Sequence, residues 1–346
     1  MEISDWEVAY LLLLIVIAFP LNFGTIIRMY QLQQKSYPAG IPRHYFLLKA
    51  HLACVDLLIV SAFGGTRLLR KYAPQLLRGS ISCPLSTWVV SFSFYMSSYL
   101  VGCISILRCR EVCSFRTSLG HKMKRAQVAL TLVWLAAVLT SSPEAFVYGA
   151  FMLPTPGNPG SNLTQLCTNI WIATRMQHPA LAGSAPALFP WELGYYIFHL
   201  CCIFWLPATL MIASYAITMV FSFYRHRRMR QLRKISRSAA RQATGRLSRM
   251  QKIARATVPV VFIYLVCWTP YNVISLFGTN AIVTYSSYYL ITLPTVLNPL
   301  VYRVATPTAE LEPNRRFRSP RLHWPSREPS PFDTITIGPT TDRPPL

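Results

Sequence analysis

Long apolar runs alternate with short polar and charged connections along most of this chain. Seven are evident, at roughly 8–30, 46–69, 84–108, 126–148, 195–223, 254–277 and 283–303. An apolar helix of about 20 residues crosses a bilayer core of roughly 30 Å. A segment in lipid must also satisfy its own backbone hydrogen bonds, as a helix does. The pattern therefore predicts an all-α membrane protein, a seven-transmembrane helix bundle. The third run is interrupted by Ser and Tyr, and the seventh is rich in Tyr and Thr. Polar groups at membrane depth face a bundle interior or a cavity, so these two runs are expected to line one. Three segments follow: a short N-terminus over 1–7, the bundle over 8–303 and a tail over 304–346. The tail is rich in Pro, Arg, Ser and Thr and poor in large apolar residues, a composition that predicts disorder.

Composition agrees with a membrane class. The chain is 52% hydrophobic and only 13% charged, whereas soluble domains carry about 25% charge. The net charge of +22 would suggest nucleic acid, but its placement argues otherwise. The segment Arg225–Arg255 holds twelve Lys or Arg and no acid, and Arg108–Arg125 is basic apart from Glu111. Both fall on one side of the membrane together with Lys35 and Arg43. Bases beside spans mark the cytoplasmic side, so the N-terminus, with Glu2, Asp5 and Glu7, is expected to be extracellular. The tail is then cytoplasmic. Bases so placed attract anionic membrane lipids, and they lack the separate folded module of a nucleic-acid binder. Arg67, Arg70, Lys71 and Arg78 run against the charge rule, and ligand or lipid contact is the reading for them. The first run lacks a basic leader and outlasts a signal peptide's apolar core, so it reads as the first span. No internal repeat is apparent, which argues against a transporter of inverted repeats.

Of nine cysteines, seven lie in spans or at their cytoplasmic ends. Cys83 and Cys167 lie outside, in an oxidising compartment that favours disulfides; they are either bridged or two unpaired surface thiols. A bridge would pin the connection between spans four and five over the mouth of the bundle. The same connection carries the glycosylation sequon at Asn162. Asp56 is the acid deepest in a span, with Asn22, Ser97 and Asn298 as polar partners. Two readings stand side by side. Oxygen ligands suit a hydrated cation, and burial equally suits a neutral, hydrogen-bonded acid. Pro270 and Pro299 fall inside their helices, where the missing donor and the ring clash produce kinks.

In this order the residues resemble class A, rhodopsin-like G-protein-coupled receptors over roughly residues 8–303. The landmarks are Asn22, Asp56, Cys83 with Arg108, Trp134, Pro207 with Tyr215, Cys267-Trp268-Thr269-Pro270, and Asn298-Pro299-Leu300-Val301-Tyr302. The resemblance implies that Trp268 is the pocket-floor switch and that Arg108 meets the G protein. It implies that Tyr215 and Tyr302 swing toward Arg108 in the active state, and that Asp56, Ser97 and Asn298 hold a structural sodium ion. It places Val90, Phe94, His199, Tyr271, Asn272 and Tyr288 in the ligand pocket. Val90 stands where amine receptors keep an acid, so the expected ligand is an extracellular small molecule or peptide other than a biogenic amine.

Two departures matter. The family's acid before the arginine is Leu107 here, which strips Arg108 of its nearest counter-charge. Met250 offers no acid for a second restraint. Such a loss leads to either raised basal activity or weakened coupling, and the sequence leaves both open. In addition, Pro307 and Pro313 oppose a membrane-surface helix after Tyr302. No phosphate-cradling loop, metal-spaced cluster or nucleophile–base pair points to an enzyme. The expected function is thus a plasma-membrane receptor that converts ligand binding into heterotrimeric G-protein activation. A non-coupling seven-helix decoy or dimer partner is the alternative, and a polytopic transporter a more distant one.

Overall fold

The computed structural model describes residues 4–34, 43–113, 119–154, 163–178, 190–235, 258–276 and 287–305. Among them, six helices are long and apolar enough to cross a membrane: Asp5–Gln34, His44–Tyr72, Ser82–Cys113, His121–Val147, Pro190–Arg225 and Val258–Leu276. We refer to them as spans one to six. Span seven comprises a helical turn at 287–290, a break at 291–293 and the helix Pro294–Ala305. Pro294 favours a restart there, since the first position of a helix needs no donor. Together these helices form the bundle that the apolar pattern predicts. Helix begins at Asp5, three residues before the expected boundary, and continues through Ala305. Residues 306–346, with the prolines of the tail, lie outside the described residues, as do Met250 and Asn162.

Among the described residues, span three is the most buried of spans one to six. Phe94, Met96 and Leu100 are almost fully enclosed, and they join Trp268 and Tyr264 of span six in one apolar core. Spans one and four instead turn large apolar side chains outward, among them Val16, Leu132 and Leu139. In a bilayer such side chains face lipid, which leaves polar groups for the interior.

Prolines tie spans together. Pro207 removes one donor and displaces the carbonyl four residues back, and span five accordingly widens into a π turn over Cys201–Trp205. The displaced carbonyl belongs to Ile203, and the Tyr264 hydroxyl of span six donates to it at 3.0 Å. Pro299 has the same effect on Thr295 O, to which Asn22 Nδ2 of span one donates at 2.7 Å. Asn22 also bonds Ala18 O at 2.9 Å. Each proline thus exposes an acceptor that a neighbouring span occupies. A second π turn, Val60–Gly64 in span two, has no proline to announce it.

The connection between spans four and five departs from the all-α expectation. It contains an antiparallel hairpin of β1, Tyr148–Pro154, and β2, Leu163–Asn169, with Ala150 opposite Cys167. Strands this short leave no mark on a hydropathy pattern. Asn169 ends β2 and caps the helix Ile170–Gln177, its side chain accepting from Ile172 N at 2.8 Å. Cys83, at the start of span three, is bonded to Cys167.

Candidate functional site

At the hairpin end the predicted pocket residues fall into two groups. Phe94, Tyr271 and Tyr288 form an aromatic set. Tyr271 and Tyr288 meet edge-on at 5.2 Å between centroids, and Phe94 meets Tyr288 at 6.3 Å. Phe94 also stands edge-on to Trp268 at 5.8 Å, so this set rests directly on the predicted floor. Val90 packs against the same core. Asn272 is fully buried one turn above Trp268 and donates to Trp268 O at 2.9 Å. Its Oδ1 has no hydrogen-bond partner among the described residues. Pro270 lies between Trp268 and Asn272 and is partly buried.

His199 belongs to the second group. Its Nδ1 lies 3.0 Å from the Tyr95 hydroxyl and 3.3 Å from Glu144 Oε1. Glu144, at the end of span four, is buried, and sequence reasoning passed over it. Burial, reinforced by this carboxylate, holds the Tyr148 hydroxyl well above the usual tyrosine range.

Two of the outward-facing bases, Arg67 and Lys71, find partners within the chain. Arg67 Nη2 donates to the Tyr289 hydroxyl at 2.8 Å, and that hydroxyl donates to Glu7 Oε1 at 2.7 Å. Lys71 pairs with Asp5 at 2.7 Å. Arg67 and Lys71 thus tie span two to spans one and seven, where the sequence suggested ligand or lipid contact.

Midway along the bundle Asp56 is buried, and its Oδ2 accepts from Asn298 Nδ2 at 3.2 Å. Asp56 Oδ1, Asn298 Oδ1 and Asn22 Oδ1 are buried without hydrogen-bond partners among the described residues. Ser97 is buried on span three. Groups of three or more His, Cys, Asp or Glu with metal-ligand spacing are absent among the described residues. One carboxylate and two amide oxygens are thus left without protein partners among the described residues, and donors of this kind suit a hard cation. An unpaired oxygen buried in a bundle is costly otherwise.

At the far end lies Arg108. Its Nη1 donates to Glu111 Oε2 at 2.6 Å, one turn further along the same helix. Glu111 Oε1 in turn meets His44 Nε2 of span two at 2.5 Å. The Arg108 guanidinium stacks 4.0 Å from the centre of the Tyr45 ring, and Lys49 Nζ lies 4.1 Å from that centre. Arg108 is only 4% exposed. The expectation that Leu107 leaves the arginine without a nearby counter-charge is therefore corrected. The acid has moved from the residue before Arg108 to the residue three after it. The i, i+3 spacing that brings two side chains onto one helix face was legible, but the His44 contact was not. Tyr215 packs against the core on span five, while Pro299 and Tyr302 lie on the last helix.

An aromatic set resting on a buried tryptophan, a polar centre and a paired arginine thus lie along one bundle. Comparison with known proteins places the arrangement. The family model described as "7 transmembrane receptor (rhodopsin family)" matches residues 41–302. The G-protein coupled receptor daf-38 of Caenorhabditis elegans is 27% identical over 63% of this chain and 50% of its own length. The mesotocin receptor of Rhinella marina is 24% identical, over 78% of this chain and 64% of its own. The galanin receptor type 3 of Mus musculus is 26% identical, over 71% and 59%. The chain thus spans between half and two thirds of the length of these relatives. Squid rhodopsin superposes with a TM-score of 0.66 over 90% of this chain and 85% of its own, at 15% identity, a likeness of fold. The chain is a multi-pass membrane protein, and it belongs to the rhodopsin family of seven-transmembrane receptors.

Proposed function

We propose that this receptor sits in the plasma membrane with its N-terminus outside. It binds a ligand above Trp268 and activates a heterotrimeric G protein through the Arg108 end. The observation that carries this reading is the Arg108–Glu111–His44 cluster. It supplies a releasable restraint on the arginine despite Leu107. Breaking buried polar contacts is costly, and Glu111, paired with Arg108 on its own helix, also meets His44 of span two, so the cluster favours one packing of spans two and three. A ligand that binds the other packing better shifts the balance. With a restraint present, the missing acid at Leu107 no longer supports the non-coupling reading.

The ligand we propose is small and mostly apolar, stacking on Phe94, Tyr271 and Tyr288 and presenting a donor to Asn272 Oδ1. The orphaned amide oxygen supports this, because a buried acceptor without a partner is unfavourable until one arrives. Glu144 with His199 would select a second polar group. At the centre, Asp56, Ser97 and Asn298 would hold sodium, and the unpartnered Oδ1 atoms of Asp56 and its bonding partner Asn298 support that role. The ion would supply positive charge that keeps Asp56 ionised.

The test is basal and ligand-stimulated signalling through each G-protein class, at matched surface expression, with Arg108→Ala as comparison. Signal in the wild type that vanishes in Arg108→Ala supports the reading. Silence in every class from a surface-expressed, correctly oriented protein would overturn it in favour of a decoy or dimer partner.

A further inference from the structure

A cleft of about 540 Å³ opens on the outer face of the bundle, between spans three, four and five. Its walls are apolar. Val128 and Leu132 of span four face Leu206 and Leu210 of span five, and all four are exposed. Its back is span three, from Tyr99 to Arg110. At one end the lining changes abruptly to Arg110, His121, Lys124 and Arg125, with no acid among the residues that line the cleft. A much smaller cavity of about 30 Å³ adjoins this mouth, shares Arg110 and Arg125, and adds Lys122. Glu111 borders that second cavity, but its oxygens are engaged by Arg108 and His44.

We infer that this cleft binds an anionic phospholipid, with its phosphate at Arg110, Lys124 and Arg125 and one acyl chain along the apolar walls. Three features select this occupant. The exposed apolar walls lie within helices that cross the membrane, so the cleft opens to lipid rather than to water. Its length fits one leaflet, because Tyr99 and Arg110 are eleven residues apart, about 16 Å of helix, roughly half of a 30 Å bilayer core. Finally, clustered bases at the head end attract anionic headgroups, and long basic side chains reach the interface from such positions.

Leu107 gains a purpose here. It lines both the cleft and the adjoining cavity. An acid in its place would set a negative charge on the acyl-chain wall, beside the phosphate. The transfer of Arg108's counter-charge to Glu111 keeps the restraint while leaving that wall apolar. The inference rests on the chain lying in a bilayer, not on G-protein coupling.

The experiment uses the full-length receptor, purified in detergent with mixed phosphatidylserine and phosphatidylcholine, and native mass spectrometry of retained lipid. Phosphatidylserine should be retained in preference to phosphatidylcholine. Each base replaced among Arg110→Gln, Lys124→Gln and Arg125→Gln should lower that preference about fivefold. Leu107→Asp should lower it as well. Ala136→Phe, which fills the apolar end of the cleft, should reduce retention of both lipids, and Lys71→Gln at the opposite end should change neither. Melting temperature identifies any variant that fails to fold, and Leu107→Asp and Ala136→Phe test the cleft without touching its bases. Equal retention of the two lipids by the wild type would mean annular lipid only and would overturn the inference. So would displacement of the lipid by inorganic phosphate, which would mark a soluble-anion site.

Discussion

Removing the Glu111 carboxylate tests the restraint on Arg108. The Arg108–Glu111 bond is 2.6 Å long, with the two side chains 5% and 16% exposed, so solvent screens it little. A hydrogen bond between charged groups contributes about 1.5–3 kcal/mol, and a neutral one about 0.5–1.5 kcal/mol. Glu111→Gln keeps an acceptor for Arg108 and loses the charge, a difference of about 1.4 kcal/mol. Glu111→Ala removes both and leaves Arg108 beside the Tyr45 ring and Lys49 Nζ, about 3 kcal/mol in all. These losses fall on the packing in which Glu111 also meets His44 of span two. Each 1.4 kcal/mol changes a two-state ratio tenfold, so the open fraction should rise about tenfold for Gln and about a hundredfold for Ala until it saturates. Leu107→Asp, adding a second acid beside the arginine, should lower basal activity below wild type. The assay is ligand-independent G-protein activation at matched surface density. The order Glu111→Ala above Glu111→Gln above wild type above Leu107→Asp is expected. Identical basal activity in all four, alongside a ligand response, would refute the restraint.

Other outcomes follow from the same geometry. Cys83→Ser and Cys167→Ser should reduce surface expression and melting temperature equally, with the double variant no worse than either single; additive losses would show that the bond is not the shared cause. Asn22→Leu and Tyr264→Phe each orphan one acceptor that a proline exposes, Thr295 O and Ile203 O. Interhelical bonds in membranes are worth about 0.6–1.7 kcal/mol each, so each variant should lower the melting temperature of the purified receptor to a similar degree. An unchanged melting temperature in either variant would contradict the assignment. Sodium at tenfold its dissociation constant should stabilise the protein by about 1.4 kcal/mol relative to choline, and Asp56→Asn should abolish the difference. A sodium effect that survives in Asp56→Asn would move the site elsewhere.

What the sequence disclosed follows from the range of each signal. The spans were legible because membrane burial acts on twenty residues at a time. Trp268, Pro270 and Asn298 were legible because their neighbours form local motifs. Glu111 was half-legible: its spacing from Arg108 is written in one helix, but His44 reaches it from 67 residues earlier. Glu7 and Tyr289 meet across 282 residues, and only the closed bundle brings Arg67 between them. Glu144 was passed over because its partner His199 lies on span five, 55 residues later. The cleft was hidden for a related reason. Lys124 and Arg125 read as loop charge, and Leu206 and Leu210 as span, so their shared edge exists only once spans three, four and five assemble.

Reconstitution with purified heterotrimeric G proteins tests the central claim most directly. The wild-type receptor in lipid nanodiscs should accelerate GDP–GTP exchange on at least one G-protein class, and Arg108→Ala should return exchange to the rate of the G protein alone. Acceleration that persists unchanged in Arg108→Ala, or no acceleration in any class from a folded receptor, would contradict coupling through the Arg108 end.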